Sequence, residues 1–183
     1  GAIIAWHDIR GGSNYDVYAQ KVDATGAVAW PTDGVGICAA TADQTDVELS
    51  TDGYNGAILT WRDTRTSGTT YIYAQRIIYS GSTSWTSNGV LICSSSGSKE
   101  KPLIISDHNG GAIIIWSDIR NGKHYDIYAQ NINSAGLIQW PNNGAAVSTA
   151  SGDQLNCAIV EDDFNGAFVA WNDSRGSTVD IYS

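Results

Sequence analysis

Apolar residues come in short runs along this chain, separated by turns rich in Gly, Asp, Asn and Ser. One run returns: GAIIAW at Gly1–Trp6, GAILTW at Gly56–Trp61, GAIIIW at Gly111–Trp116 and GAFVAW at Gly166–Trp171, spaced by 55 residues each time. A fixed period of this size marks a repeat architecture. Repeats 1–55, 56–110 and 111–165 and an incomplete 166–183 occupy the whole chain as one domain.

Within a repeat the pattern predicts four strands. Val47-Glu48-Leu49-Ser50 alternates, and Asp52–Gly56 supplies the Asp-Gly and Asn-Gly chemistry of a hairpin turn. Ala57–Trp61 is apolar on both faces and must be covered on both. Tyr71–Ile77 is rich in aromatic and β-branched residues, as a third strand should be. In the first repeat the turn Asp23–Gly26 leads into Ala27-Val28-Ala29-Trp30, read as the fourth strand, with Gly34 breaking the chain before Val35–Cys38. The Trp30/Gly34 spacing recurs at Trp85/Gly89 and Trp140/Gly144, and no segment has a useful helical period. The expectation is an all-β chain, a β-propeller of four-stranded antiparallel blades with about 3.5 blades present.

The pattern GAIIAW-x-D-x-R followed by YDVYAQ resembles propeller repeats of roughly 50 residues found in secreted and cell-surface proteins of bacteria. WD40 blades are shorter and end in Trp-Asp, kelch blades carry a Gly-Gly doublet, and the Ser-x-Asp-x-Gly-x-Thr-Trp box of sialidase-type propellers is only faintly echoed at Ser50–Gly53. The resemblance implies the fold and an extracellular or cell-surface setting. It implies no single activity.

Residues that recur in every repeat read first as mortar. Trp6, Trp61, Trp116 and Trp171 suit blade-to-blade packing. Asp8/Arg10, Asp63/Arg65, Asp118/Arg120 and Asp173/Arg175 read as clamps, since a neighbouring guanidinium favours the charged carboxylate that a general acid must avoid. Tyr18, Tyr73, Tyr128 and Tyr182, with Gln20, Gln75 and Gln130, are expected to pack between blades with their polar tips hydrogen-bonded. Trp30, Trp85 and Trp140, placed on the outermost strand, have two readings: an exposed platform that grips sugar rings, or packing under the following Gly-containing bend, which is preferred.

The repeats differ most in the loop after each clamp, at 11–15, 66–70, 121–125 and 176–179. That loop shares a rim with the connection into the next repeat, and rigidly held loops are where binding usually resides. Asn14, Tyr15, Thr69, Thr70, His124 and Tyr125 are therefore the rim candidates for a glycan or protein ligand. His7, His108 and His124 fall at unrelated repeat positions. No HExxH, CxxC pair, phosphate loop or GxSxG elbow is present, and the Asp-rich turns lack the ligand spacing of a calcium loop, so neither metal nor cofactor is expected. With no catalytic constellation in view, the sequence reads as a non-catalytic scaffold or interaction platform, not an enzyme, ahead of a lectin-like sugar binder and a glycosidase.

Charge and cysteine content narrow the partners. A formal net charge of −9 repels a nucleic-acid backbone, and no run approaches the roughly 18 apolar residues of a membrane span. Cys38 and Cys93 share a repeat position while Cys157 does not, which fits buried thiols better than a disulfide framework. Both ends fall inside a repeat, so the chain is expected to be part of a longer protein. A bare apolar face at each end would then meet the remainder of that parent chain or a second copy.

Overall fold

The computed structural model describes residues 1–66, 68–162 and 164–183. Fourteen strands occupy the positions set by the repeat. The first sheet, in the order β1-β2-β3, holds β1 (Ala2–Asp8), β2 (Asp16–Val22) and β3 (Val35–Cys38). The second holds β4 (Gln44–Thr51), β5 (Ala57–Asp63), β6 (Tyr71–Ile77) and β7 (Val90–Cys93), and the third holds β8 (Leu103–Ser106), β9 (Ala112–Asp118), β10 (Asp126–Ile132) and β11 (Ala145–Ser148). The last is β12 (Gln154–Glu161), β13 (Ala167–Asp173) and β14 (Asp180–Tyr182). All the strand pairs are antiparallel, and the described residues contain no helix.

The sheets stack face to face in a propeller-like manner, and the doubly apolar strands lie where two covering faces demand them. Ala57, Leu59 and Trp61 of β5 pack with Val17, Ala19 and Ile37 of the first sheet. Ile58, on the opposite face of β5, packs with Ile114 and Trp116 of the third. Ile113 and Ile115 in turn meet Ala167 and Val169 of the last sheet. Each interface is the same pairing moved on by one repeat.

One strand differs from the expectation. Ala27–Trp30 is not the fourth strand; its only ladder contact is an isolated bridge from Val28 to Val22, and β3 at Val35–Cys38 closes the sheet instead. The cause is Gln20, whose side-chain amide donates to Pro31 O (2.8 Å) and whose Oε1 accepts from the Trp30 amide (3.2 Å), so the backbone leaves the ladder. Gln75 and Gln130 repeat this arrangement with Thr86 and Pro141.

The recurring Trp, Asp, Arg and Tyr form one unit per sheet. The Trp61 indole donates to Asp63 Oδ2 (3.0 Å), Arg65 Nε donates to Asp63 Oδ1 (2.8 Å), and the guanidinium lies 3.8 Å from the centre of the Tyr73 ring. Arg65 also reaches Asn88 O (2.9 Å), tying the strand end to the turn before β7. Trp116, Asp118, Arg120 and Tyr128 do the same with Asn143 O. Tyr18, Tyr73 and Tyr182 are thus held by their rings, stacked on Trp and covered by Arg, and Tyr128 is covered by Arg120, in place of the expected hydrogen-bonded hydroxyl tips. Gly89 permits the close fit: at φ +92° an added Cβ would stand 2.6 Å from the Trp61 ring.

Candidate functional site

The end of the sheets that carries the clamps also carries the variable loops and the starts of the innermost strands. There β4 and β12 break register between Thr45 and Glu48 and between Leu155 and Ala158. Asp46 (φ 54°) and Asn156 (φ 52°) sit in the bulges in the left-handed region, which Asp and Asn tolerate better than most residues. Lys101 is their counterpart in the third repeat. A bulge re-aims side chains, and here it brings chemically different residues to one repeat position.

Between the third and last sheets this region opens into a cavity of about 380 Å³ lined by Glu100, Lys101, Ser117, Tyr125, Asn156 and Cys157, with Leu103 and Leu155. Glu100 is exposed and anchored by its amide, which donates to Ser117 O (2.9 Å). Lys101 forms an ion pair with Glu48 of β4, which links the cavity to the second sheet. On β4, Asp46 pairs with Arg62 at 2.8 Å. Glu48 and Asp46 thus have cationic partners, and the Glu100 carboxylate has none among the described residues. Ser117 Oγ and Cys157 Sγ lie 3.4 Å apart, and burial pushes the Cys157 thiol up.

The rim candidates are dispersed over three loops. Tyr125 lines the cavity, its amide donating to Asp153 Oδ1 (2.9 Å). Tyr15, at the same repeat position, packs edge-on to His7 with ring centres 5.2 Å apart. Asn14 is a loop tie, donating to Asp16 Oδ1 (3.0 Å) and Ala42 O (2.9 Å). Thr69 and Thr70 are half-buried, and Ser67 of their loop lies outside the described residues. His124 is 3.8 Å from Asp126, whose carboxyl is pushed up by burial and held by Asn121 Nδ2 (2.8 Å). Asp126 is buried behind the loop and is not among the residues lining the cavity.

Trp30, Trp85 and Trp140 lie on the turn before the outer strand. Trp30 is 6 % exposed, its indole donates to Tyr79 O (3.1 Å) of the next sheet, and its ring lies so close to Gly81 that an added Cβ would stand 2.9 Å away. Trp85 donates likewise to Ser134 O (3.0 Å). Both are packing residues. Trp140 is 38 % exposed beside an apolar cleft of about 610 Å³.

The clamps are not acid–base pairs. Burial opposes ionisation of Asp118, but hydrogen bonds from Arg120 and Trp116 outweigh it and hold the carboxyl below the usual carboxylate range. Arg10 holds Asp8, and Arg175 holds Asp173, well below it. Cys38 and Cys93 are buried, burial pushes the Cys38 thiol up to about 11, and each sulfur lies against the clamp arginine of the following sheet.

The bulge residues were missed by sequence reasoning, although a signal was present. Gln44, Lys99 and Gln154 precede two positions that change chemistry completely, Thr45/Glu100/Leu155 and Asp46/Lys101/Asn156. Scaffold positions recur from repeat to repeat, whereas these do not.

No family model matches the chain, and no curated protein matches it. Its fold is similar to the crystal structure of an endo-arabinase from Bacteroides thetaiotaomicron, with a TM-score of 0.54 and 17 % identity, covering 98 % of this chain and 69 % of that one. The likeness is one of fold. It runs against the expectation of a non-catalytic module that is not an enzyme, because the protein whose fold is matched over 98 % of this chain is an enzyme.

Proposed function

We propose that the chain is a carbohydrate-active enzyme unit of the glycosidase type, acting on a polysaccharide at the cavity beside Glu100. One observation carries this reading. In a fold shared along 98 % of the chain with an endo-arabinase, the unpaired carboxylate Glu100 and Lys101 line a cavity, and Lys101 holds a second carboxylate, Glu48, in an ion pair. Glycoside hydrolysis uses two carboxyl groups, one passing a proton to the leaving oxygen and the other ionised to stabilise, attack or activate water. Glu100, free of a cation, takes the first role. Glu48, paired with Lys101, takes the second, and Tyr125 supplies a ring face for a sugar.

The four stacked sheets are read as consecutive β-propeller blades; fourteen strands at four to a blade make 3.5 blades. A polysaccharide substrate fits the secreted or cell-surface setting that the resemblance to bacterial propeller repeats implies.

The test is hydrolysis of a panel of plant polysaccharides, arabinan included, by reducing-end release. Glu100→Gln and Glu48→Gln are expected to lower kcat by about 10²–10⁴-fold with circular dichroism unchanged. Tyr125→Ala is expected to raise KM more than it lowers kcat. Absence of turnover on every polysaccharide, or full activity in Glu100→Gln, refutes the assignment.

A further inference from the structure

Ser117 and Leu103 of the cavity occupy repeat positions that hold Arg62 and Glu48 in the second sheet. There both positions carry long side chains tied in ion pairs, Arg62 with Asp46 and Glu48 with Lys101. In the third sheet a short hydroxyl and an uncharged branched chain stand in their place. Ser117 is buried and faces the last sheet, its Oγ 3.4 Å from Cys157 Sγ. Its backbone is fixed on both sides, by the Glu100 amide donating to Ser117 O (2.9 Å) and by pairing with Ile127 of β10. Across the space, the bulge at Asn156 (φ 52°) turns β12 so that Leu155, Asn156 and Cys157 all line it. Both walls, β8–β9 and β12, lie within the chain between neighbouring repeats.

We infer that this cavity is a subsite for one uncharged sugar unit and that Ser117 sets its size. The inference rests on the glycosidase-type reading and adds to it which sugar the site accepts. A volume of about 380 Å³ lies within the range of small-molecule sites. Tyr125, Leu103 and Leu155 offer apolar surface to the C–H face of a sugar, and Ser117 and Asn156 offer hydrogen bonds to its hydroxyl edge. Charge decides the class. Lys101 is already neutralised by Glu48, and the Glu100 carboxylate has no cationic partner among the described residues, so a uronate entering here would meet an uncompensated negative charge. An unpaired like charge is an effective way to reject a competing ligand.

Steady-state kinetics of the full chain test this, on the neutral polysaccharide that wild type hydrolyses fastest and on polygalacturonate as the anionic comparison. Ser117→Asn and Ser117→Gln should raise KM in order of added bulk, by about 10-fold or more for Gln, with a smaller change in kcat. Asn already stands at this repeat position in the last sheet, as Asn172, so the Asn variant carries the test if Gln prevents folding by circular dichroism. Ser117→Ala removes the contact with Cys157 without adding bulk and should raise KM less than Ser117→Gln does. Asn172→Gln, the same enlargement outside the cavity, should leave KM where it is. Unchanged KM in both enlarged variants, or equal effects of Ala and Gln, overturns the role of Ser117 while the glycosidase reading stands. Turnover of polygalacturonate as fast as of the neutral polymer overturns the charge selection in the same way. Absence of turnover by wild type on every polymer defeats the parent reading and this inference with it.

Discussion

Trp6 and Trp61 hold the same position in successive repeats and differ in one respect, which makes truncating each a direct measure of what sheet stacking contributes. Trp61 is fully buried between the first sheet, Gly89 and Asp63. Trp6 has the equivalent Asp8 hydrogen bond (2.8 Å) and the equivalent glycine, Gly34, but its outer side is open. Burial of an indole removes about 150–250 Å² from water, or about 4–6 kcal/mol at roughly 25 cal/mol per Å². The measured range for removing large aromatics from cores is about 3–5 kcal/mol. Trp61→Ala should therefore cost about 3–5 kcal/mol, and Trp6→Ala about half that. The assay is urea unfolding followed by circular dichroism. Equal midpoint shifts for the two variants, with equal m-values, would refute the claim that the neighbouring sheet supplies the difference.

Two further outcomes follow from charged groups that are buried. Asp118→Asn should cost about 3–5 kcal/mol, since it leaves the part-buried Arg120 without its counter-charge. The folded-state pKa of Asp118 is lowered, so its contribution is complete above the unfolded value near 3.9 and fades as pH falls below it; the variant should therefore lose less stability than wild type between about pH 4 and pH 2, measured by acid titration of the unfolding midpoint. Lys99 is buried, donating to Ser95 O (2.6 Å) and Gly97 O (3.1 Å), at a position where the flanking repeats have Gln. Burial lowers its pKa, so the unfolded chain holds the extra proton and wild-type stability should rise with pH as the unfolded value near 10.4 is approached. Lys99→Gln should remove that rise and gain about 1 kcal/mol at pH 7, read from urea midpoints at pH 7 and pH 10.

The framework was legible because it repeats. The Trp-x-Asp-x-Arg unit, the third strand at Tyr71–Ile77 and the Asp52 turn, whose Oδ1 accepts from the Tyr54 (2.8 Å) and Gly56 (2.7 Å) amides, all rest on local chemistry written into the sequence. The outer strand was misplaced because Ala27–Trp30 alternates like a strand; what removes it from the ladder is Gln20, ten residues away from Trp30 in the chain. The cavity was invisible for a related reason. It depends on left-handed backbone at Asp46 and Asn156 and on an ion pair between Glu48 and Lys101, residues of different repeats whose meeting no periodicity reports.

The hydrogen bonds between sheets run mostly one way. The Ala39 amide is satisfied by Asn88, the Ser94 amide by Asn143, and the indoles of Trp30 and Trp85 by carbonyls of the sheet that follows. During synthesis each newly emerged repeat therefore waits for its successor before its own polar groups are matched. Maturation of the array should sweep from the N-terminal end toward the C-terminal end, trailing the ribosome by one repeat length.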